Sequence, residues 1–137
     1  MPLVDVMDST WLRARPQAVG VIIADPALWR RWWPGLDLVA DEQRAERGIR
    51  WDVRSVDGFP GLTGTAELWL QAQGEGVVAH FFLRLDPSTG GQVTGSDVER
   101  IRWRYRRHTK KALWALADQL DPGRLDRHTS ATHTSLT

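Results

Sequence analysis

Three prolines, Pro16, Pro26 and Pro34, divide the first third of the chain into two short segments of helical character. Proline fits the first turn of a helix, where its missing N–H would have no partner, and it stops a helix that precedes it. Asp25 stands where it can cap the second segment. The apolar residues that recur at helical spacing are Val19, Ile22 and Ile23, then Leu28, Trp29, Trp32 and Trp33. The segment therefore predicts a bent pair of short helices whose apolar sides need a second layer to cover them.

The residues on both sides of this helix pair have the character of β-strands. Residues 4–13 precede the pair, and four more runs follow it at 36–42, 48–56, 63–71 and 77–86. Turn residues such as Asp57-Gly58, Pro60-Gly61 and Gly74-Glu75-Gly76 separate these runs. Strands that follow one another through short turns predict an antiparallel meander.

A long amphipathic helix is predicted at residues 98–120, with Ser96 or Asp97 as its cap. Asp121-Pro122-Gly123 ends it, and the polar, non-periodic residues 124–137 are predicted to form a disordered tail. Residues 1–123 are therefore expected to form one domain. The stripe predicted to pack on the sheet consists of Val98, Ile101, Tyr105, Thr109, Ala112, Leu116 and Leu120.

The composition excludes several classes of protein. The chain has no cysteine and only four scattered histidines, so we expect neither a disulfide nor a bound metal, and we expect no cofactor. It has no apolar stretch near the roughly 18 residues of a membrane span and no signal sequence, so we expect a cytoplasmic protein without membrane insertion. A net charge of +1 argues against nucleic acid as the partner. Eight tryptophans, against one tyrosine and three phenylalanines, are typical of a large aromatic core, a ligand cavity or an interface.

The motif that runs from Pro16 through Asp25-Pro26 to Trp32-Trp33-Pro34 resembles the helix pair that begins START-like, Bet v1-like (SRPBCC) proteins, which include polyketide cyclases and dehydrases. Residues 64–70 and 76–84 are similar to strands of their sheet, and the resemblance covers about residues 4–123. It implies an α+β helix-grip fold, in which a bent antiparallel sheet wraps around a long C-terminal helix. It also implies a cavity between sheet and helix for lipids, polyketides or other apolar ligands. Most members have six or seven strands, so the five counted here imply a smaller or more open cavity.

The hairpin of residues 63–71 and 77–86 carries the candidate site. A tight turn at Gly74-Glu75 places Glu67 and Trp69 on the same face as His80 and Phe82, and the opposite face is apolar throughout. In one interpretation the apolar face is the core, and Glu67 forms a cross-strand ion pair with Arg84 on a solvated face. In the other, Trp69, Phe82 and Trp51 line the cavity, while Glu67 and His80 orient a ligand. The face of Trp51 stays open, because the loop before the hairpin does not fix its register.

The leading functional hypothesis is the non-catalytic binding or carriage of a small hydrophobic ligand, such as a lipid or a polyketide. The alternative is an enzyme of the cyclase, aromatase or dehydratase type, in which Glu67 or His80 moves a proton. The tryptophans of the helix pair either pack the short helices against the sheet or form the rim of the cavity. These residues are Trp29, Trp32 and Trp33. The predicted ligand-binding residues are Trp32, Trp51, Glu67, Trp69, His80 and Phe82.

The final helix has a basic side that bears two tryptophans, Trp103 and Trp114. They are 11 residues apart and so return to the same side of the helix, opposite Tyr105. A solvated face with cation–π contacts is the simpler interpretation. A third functional alternative is an interaction module in which this face binds a second copy in a homodimer, an anionic lipid surface or nucleic acid. The cations are Arg100, Arg102, Arg104, Arg106, Arg107, Lys110 and Lys111.

Overall fold

The computed structural model describes residues 2–88 and 93–121. They form a five-stranded antiparallel sheet, two short helices after the first strand and one long helix, so the predicted α+β helix-grip fold is confirmed. The predicted tail at 124–137 lies outside the described residues. The elements are β1 (Val4–Leu12), α1 (Pro16–Ile23), α2 (Pro26–Trp32), β2 (Leu36–Gln43), a 3₁₀ turn (Ala45–Arg47), β3 (Gly48–Val56), β4 (Leu62–Gln73), β5 (Gly76–Pro87) and α3 (Gly95–Leu120).

The strands lie in the order β1-β5-β4-β3-β2, so the first strand joins the meander beside its last member. Residues of β1 pair with β5 from Val4 opposite Leu85 to Leu12 opposite Val77. The β4–β5 hairpin turns at Gly74, which has a positive φ of 60° that glycine adopts without strain. Both hairpin strands are longer than predicted, because their pairing continues to Gln73 opposite Gly76.

The long helix begins three residues before the predicted start, and its cap is Thr94 rather than Ser96 or Asp97. The Thr94 hydroxyl accepts a hydrogen bond from the Asp97 backbone N–H, and the Asp97 carboxylate accepts one from the Thr94 N–H. This reciprocal capping box satisfies two backbone donors that a helix start otherwise leaves unpaired. Asp97 therefore belongs to the first turn of the helix, and its pKa is lowered chiefly by its hydrogen bond to Arg100.

The predicted stripe of α3 packs against the inner, buried face of the sheet. Its members from Val98 to Leu116 are buried, and Leu120 is partly buried at the end. At the sheet edge, Lys110 Nζ lies 2.9 Å from an Asp8 carboxylate oxygen of β1, which holds the helix against the first strand. Leu113 and Ala117 widen the buried stripe beyond the prediction.

Aromatic rings fill the space between the sheet and α3. Trp33 stacks on Phe81 of β5 with ring centroids 4.7 Å apart, and it contacts Trp51 of β3 at 5.6 Å. The Trp33 indole Nε1 donates a hydrogen bond of 3.0 Å to the Thr109 hydroxyl of α3, and the Tyr105 hydroxyl donates one to the Pro34 carbonyl. These contacts join the end of α2, the sheet and α3 into one core.

Candidate functional site

The outer face of the sheet carries four of the predicted site residues, and the register confirms that they share this face. Glu67 lies opposite Phe82, and Trp69 lies opposite His80. The His80 ring stacks between Trp69 and Phe82, with centroid distances of 5.0 and 6.5 Å. The guanidinium of Arg84 lies over the Phe82 ring at 5.1 Å. The result is a row of stacked rings on the side of the sheet away from α3.

The polar atoms of Glu67 and His80 are bonded to other residues and not to each other. Glu67 Oε1 accepts a hydrogen bond of 2.7 Å from Arg44, which also pairs with Glu42. His80 Nε2 lies 3.1 Å from the side-chain oxygen of Gln71. The predicted pairing of Glu67 with Arg84 is therefore wrong. The chain turns back after β2 and brings Arg44 to Glu67, a long-range contact that strand alternation does not encode.

Trp51 lies on the inner face of the sheet, opposite Ala66 of β4, and its side chain is fully buried. Its ring meets Trp29 edge-on at 5.3 Å. Its indole Nε1 is buried and has no hydrogen-bond partner among the described residues. Trp32 is also buried and contacts Trp33 edge-on at 5.8 Å. The six predicted binding residues are thus divided between the two sides of the sheet.

A cleft of about 300 Å³ opens between α2 and β2. One of its walls is Trp29, whose Nε1 donates a hydrogen bond of 2.6 Å to the Ile23 carbonyl. The sequence identified the aromatic side of α2 but not the opposite wall, because Leu36 and Leu38 read only as strand residues. The α2–β2 cleft is lined by Pro26, Trp29, Arg30, Leu36, Asp37 and Leu38.

A second cleft, of about 340 Å³, runs along the outer side of α3. Trp103 is 64% exposed there, and the guanidinium of Arg107 lies 5.9 Å from the centre of its ring. Burial lowers the pKa of His108, and the positive charges of Lys111, Arg104 and Arg107 lower it further. We call this cleft the α3 groove; its lining residues are Arg100, Trp103, Arg104, Arg107, His108 and Lys111.

Within 2–88 and 93–121, no three His, Asp or Glu side chains come close enough together to hold a metal ion. In the same ranges, no helix combines the length and the apolar character needed to cross a membrane.

The fold is similar to that of several solved structures. A START superfamily protein from Mycobacterium smegmatis is 14% identical, with a TM-score of 0.61, over 85% of this chain and 98% of the other. Protein MLL2253 from Mesorhizobium loti is 12% identical, with a TM-score of 0.65, over 86% and 97%. The Aha1 dimer from Colwellia psychrerythraea is 13% identical, with a TM-score of 0.59, over 88% and 98%. No protein-family model and no curated protein sequence matches the chain. At these identities the similarity establishes a START-like fold, and the function has to be argued from the site.

Proposed function

We propose that this protein binds a small amphipathic molecule, with an apolar part and a hydrogen-bond acceptor, at the α2–β2 cleft. The observation that carries the proposal is the Trp51 indole N–H, which is buried and has no hydrogen-bond partner in the part of the chain that the structure describes. Leaving a buried donor unsatisfied costs about 1–3 kcal/mol. An acceptor on a bound molecule would supply the missing hydrogen bond. Such a molecule should therefore bind with higher affinity than a plain hydrocarbon.

The path from the cleft to Trp51 passes Trp29. The Trp29 side chain lines the cleft, and its ring touches the ring of Trp51. Leu36 and Leu38 add apolar surface on the β2 side, and Arg30 and Asp37 add polar groups to the lining. A volume of about 300 Å³ is at the lower end of small-molecule sites, so the cleft suits a compact ligand better than a long-chain lipid. To reach the indole N–H, the ligand would have to displace the Trp29 ring, which is held by its hydrogen bond to the Ile23 carbonyl.

The α2–β2 cleft is a better site than the space between the sheet and α3. The predicted cavity for a lipid or polyketide would require Trp33 and Phe81 to separate, and these rings are stacked and fully buried. The enzyme alternative, in which Glu67 or His80 moves a proton, has less support. Both residues face outward, and their polar atoms are bonded to Arg44 and Gln71. Binding at the α2–β2 cleft requires neither residue.

A pair of matched probes tests the proposal. We expect 2-nonanone, whose carbonyl is an acceptor, to bind at 1:1 and to quench tryptophan emission. Nonane should bind about 3- to 10-fold more weakly, the equivalent of one neutral hydrogen bond. In Trp51→Phe, which keeps an aromatic ring but removes the N–H, the two probes should bind equally. Trp69→Phe, a matched change on the outer face, should leave the preference intact.

Two results would contradict the proposal. One is the absence of saturable binding of either probe to the wild-type protein. The other is a preference for the ketone that persists in Trp51→Phe, since the acceptor would then bond elsewhere. Native mass spectrometry of freshly purified protein provides an independent measurement, because a retained ligand would appear as a single added mass and would reveal its chemical class.

A further inference from the structure

The outer side of α3 has a local concentration of positive charge in a chain whose net charge is only +1. No Asp or Glu occurs between positions 100 and 117, a stretch that holds seven Arg and Lys residues. Three of these cations pair with carboxylates: Arg100 with Asp97, Arg102 with Glu99 and Lys110 with Asp8. Among the described residues, no carboxylate lies within ion-pair distance of the remaining cations, which are Arg104, Arg106, Arg107 and Lys111.

The cations of the α3 groove form a row along the helix. Arg100, Arg104, Arg107 and Lys111, which we call the basic row, follow the spacing i, i+4, i+7 and i+11 and line one cleft. At 1.5 Å per residue the row is about 16 Å long, or three helical turns. Trp103 lines the same groove, near its N-terminal end, and is 64% exposed. The groove therefore combines positive charge with an apolar ring.

We propose that the α3 groove binds an acidic amphipathic helix of a partner protein. Carboxylates at i, i+4, i+7 and i+11 on such a helix would face the basic row turn by turn. Trp103 and Trp114 are exposed by 64% and 53%, and about 16 Å separates them along the helix axis. They provide an apolar contact near each end of the groove. Aromatic side chains beside arginine are typical of the anchors that dominate binding energy at protein interfaces.

Other occupants fit this face less well. A second copy in a twofold dimer would set the basic row against itself, and like charges would repel. A helix that lies on a membrane needs a wide apolar face, but the apolar face of α3 is buried against the sheet. Nucleic acid requires many phosphate contacts, and the chain as a whole has a net charge of only +1. A short acidic segment matches both the length and the local charge of the groove.

The direct test is fluorescence anisotropy of a fluorescein-labelled synthetic peptide with Glu at i, i+4, i+7 and i+11 and Leu on the adjoining face. We expect saturable 1:1 binding that weakens as salt is added. Arg104→Glu with Arg107→Glu should lower the affinity about tenfold or more. Trp103→Ala should lower it about threefold or more. A peptide with Lys in place of each Glu should bind the charge-reversed variant better than it binds the wild type.

A matched control separates this site from a general effect of charge. Arg13→Glu with Arg54→Glu makes the same change in net charge at exposed positions outside α3, and it should leave the affinity unchanged. Thermal unfolding by circular dichroism checks that each variant remains folded.

Four outcomes would overturn the proposal. The first is equal binding of a scrambled peptide of the same composition. The second is an unchanged affinity in the charge-reversed variant. The third is tighter binding of anionic phosphatidylserine vesicles or of single-stranded RNA than of the peptide. The fourth is a dimeric mass in solution that becomes monomeric on charge reversal. None of these outcomes depends on whether the α2–β2 cleft binds a ligand.

Discussion

The eight tryptophans divide evenly between the interior and the surface. Those at 29, 32, 33 and 51 are at most 7% exposed, whereas those at 11, 69, 103 and 114 are 41–64% exposed. The buried four come from α2, the residue after it and β3, and they fasten the helix pair to the sheet. The exposed four lie on the outer sheet face and the outer side of α3. The tryptophans thus form two separate sets, one packed in the core and one exposed to solvent.

The two sets also differ in how their polar atoms are satisfied. In the interior, the Trp29 and Trp33 indoles donate to Ile23 and Thr109, while the Trp51 indole has no described partner. At the surface, water can solvate any indole N–H. An unpartnered donor is therefore informative only inside the protein, and this is why the proposed small-molecule site centres on Trp51 rather than on a more exposed ring.

The largest expected difference between the sets is in stability. Trp33→Ala would remove a fully buried ring that stacks on Phe81, so we expect the free energy of unfolding to fall by about 3–5 kcal/mol. Trp103→Ala removes a ring that is 64% exposed, and the change should stay within about 0.5 kcal/mol. Urea denaturation followed by circular dichroism measures both. Equal losses in the two variants would contradict the division into core and surface.

A smaller effect is expected from the hydrogen bond that joins the buried set to α3. Thr109→Val keeps the shape of the side chain but leaves the Trp33 N–H without its acceptor, so we expect a loss of about 1–3 kcal/mol. Thr109→Ser keeps the hydroxyl and is the matched control. In hydrogen exchange, the Trp33 indole proton should exchange faster in the Val variant than in the Ser variant. If its exchange is the same in both, this bond does not hold α2 to the helix.

Much of the fold could be predicted because local signals agree with it. Prolines at 16, 26 and 34 mark the helix pair, strand alternation marks the meander, and the buried stripe of α3 follows its 3.6-residue period. The shared face of Glu67, Trp69, His80 and Phe82 was also predictable, because a two-residue turn fixes the register of a hairpin. These features depend on residues that are near one another in sequence.

The candidate site was less predictable than the fold, because it depends on contacts between segments that are distant in sequence. Trp51 was assigned to no face, since the face of β3 depends on the register that its pairing with β4 sets. The contact of Arg44 with Glu67 arises from the turn after β2, and the opposition of Trp29 to Leu36 and Leu38 arises from the packing of α2 over an edge strand. The basic side of α3 was visible in sequence, but its shape as a groove was not.

The most direct test of the division between the two sets is the indole region of a ¹⁵N–¹H NMR spectrum, with each signal assigned by a Trp→Phe variant. Adding 2-nonanone should shift the signals of Trp51 and Trp29 and leave those of Trp103 and Trp114 in place. Adding the acidic peptide should shift the signals of Trp103 and Trp114 and leave those of Trp51 and Trp29 in place. If each addition shifts both pairs together, or if the ketone shifts only exposed tryptophans, the buried and the exposed tryptophans do not have separate roles.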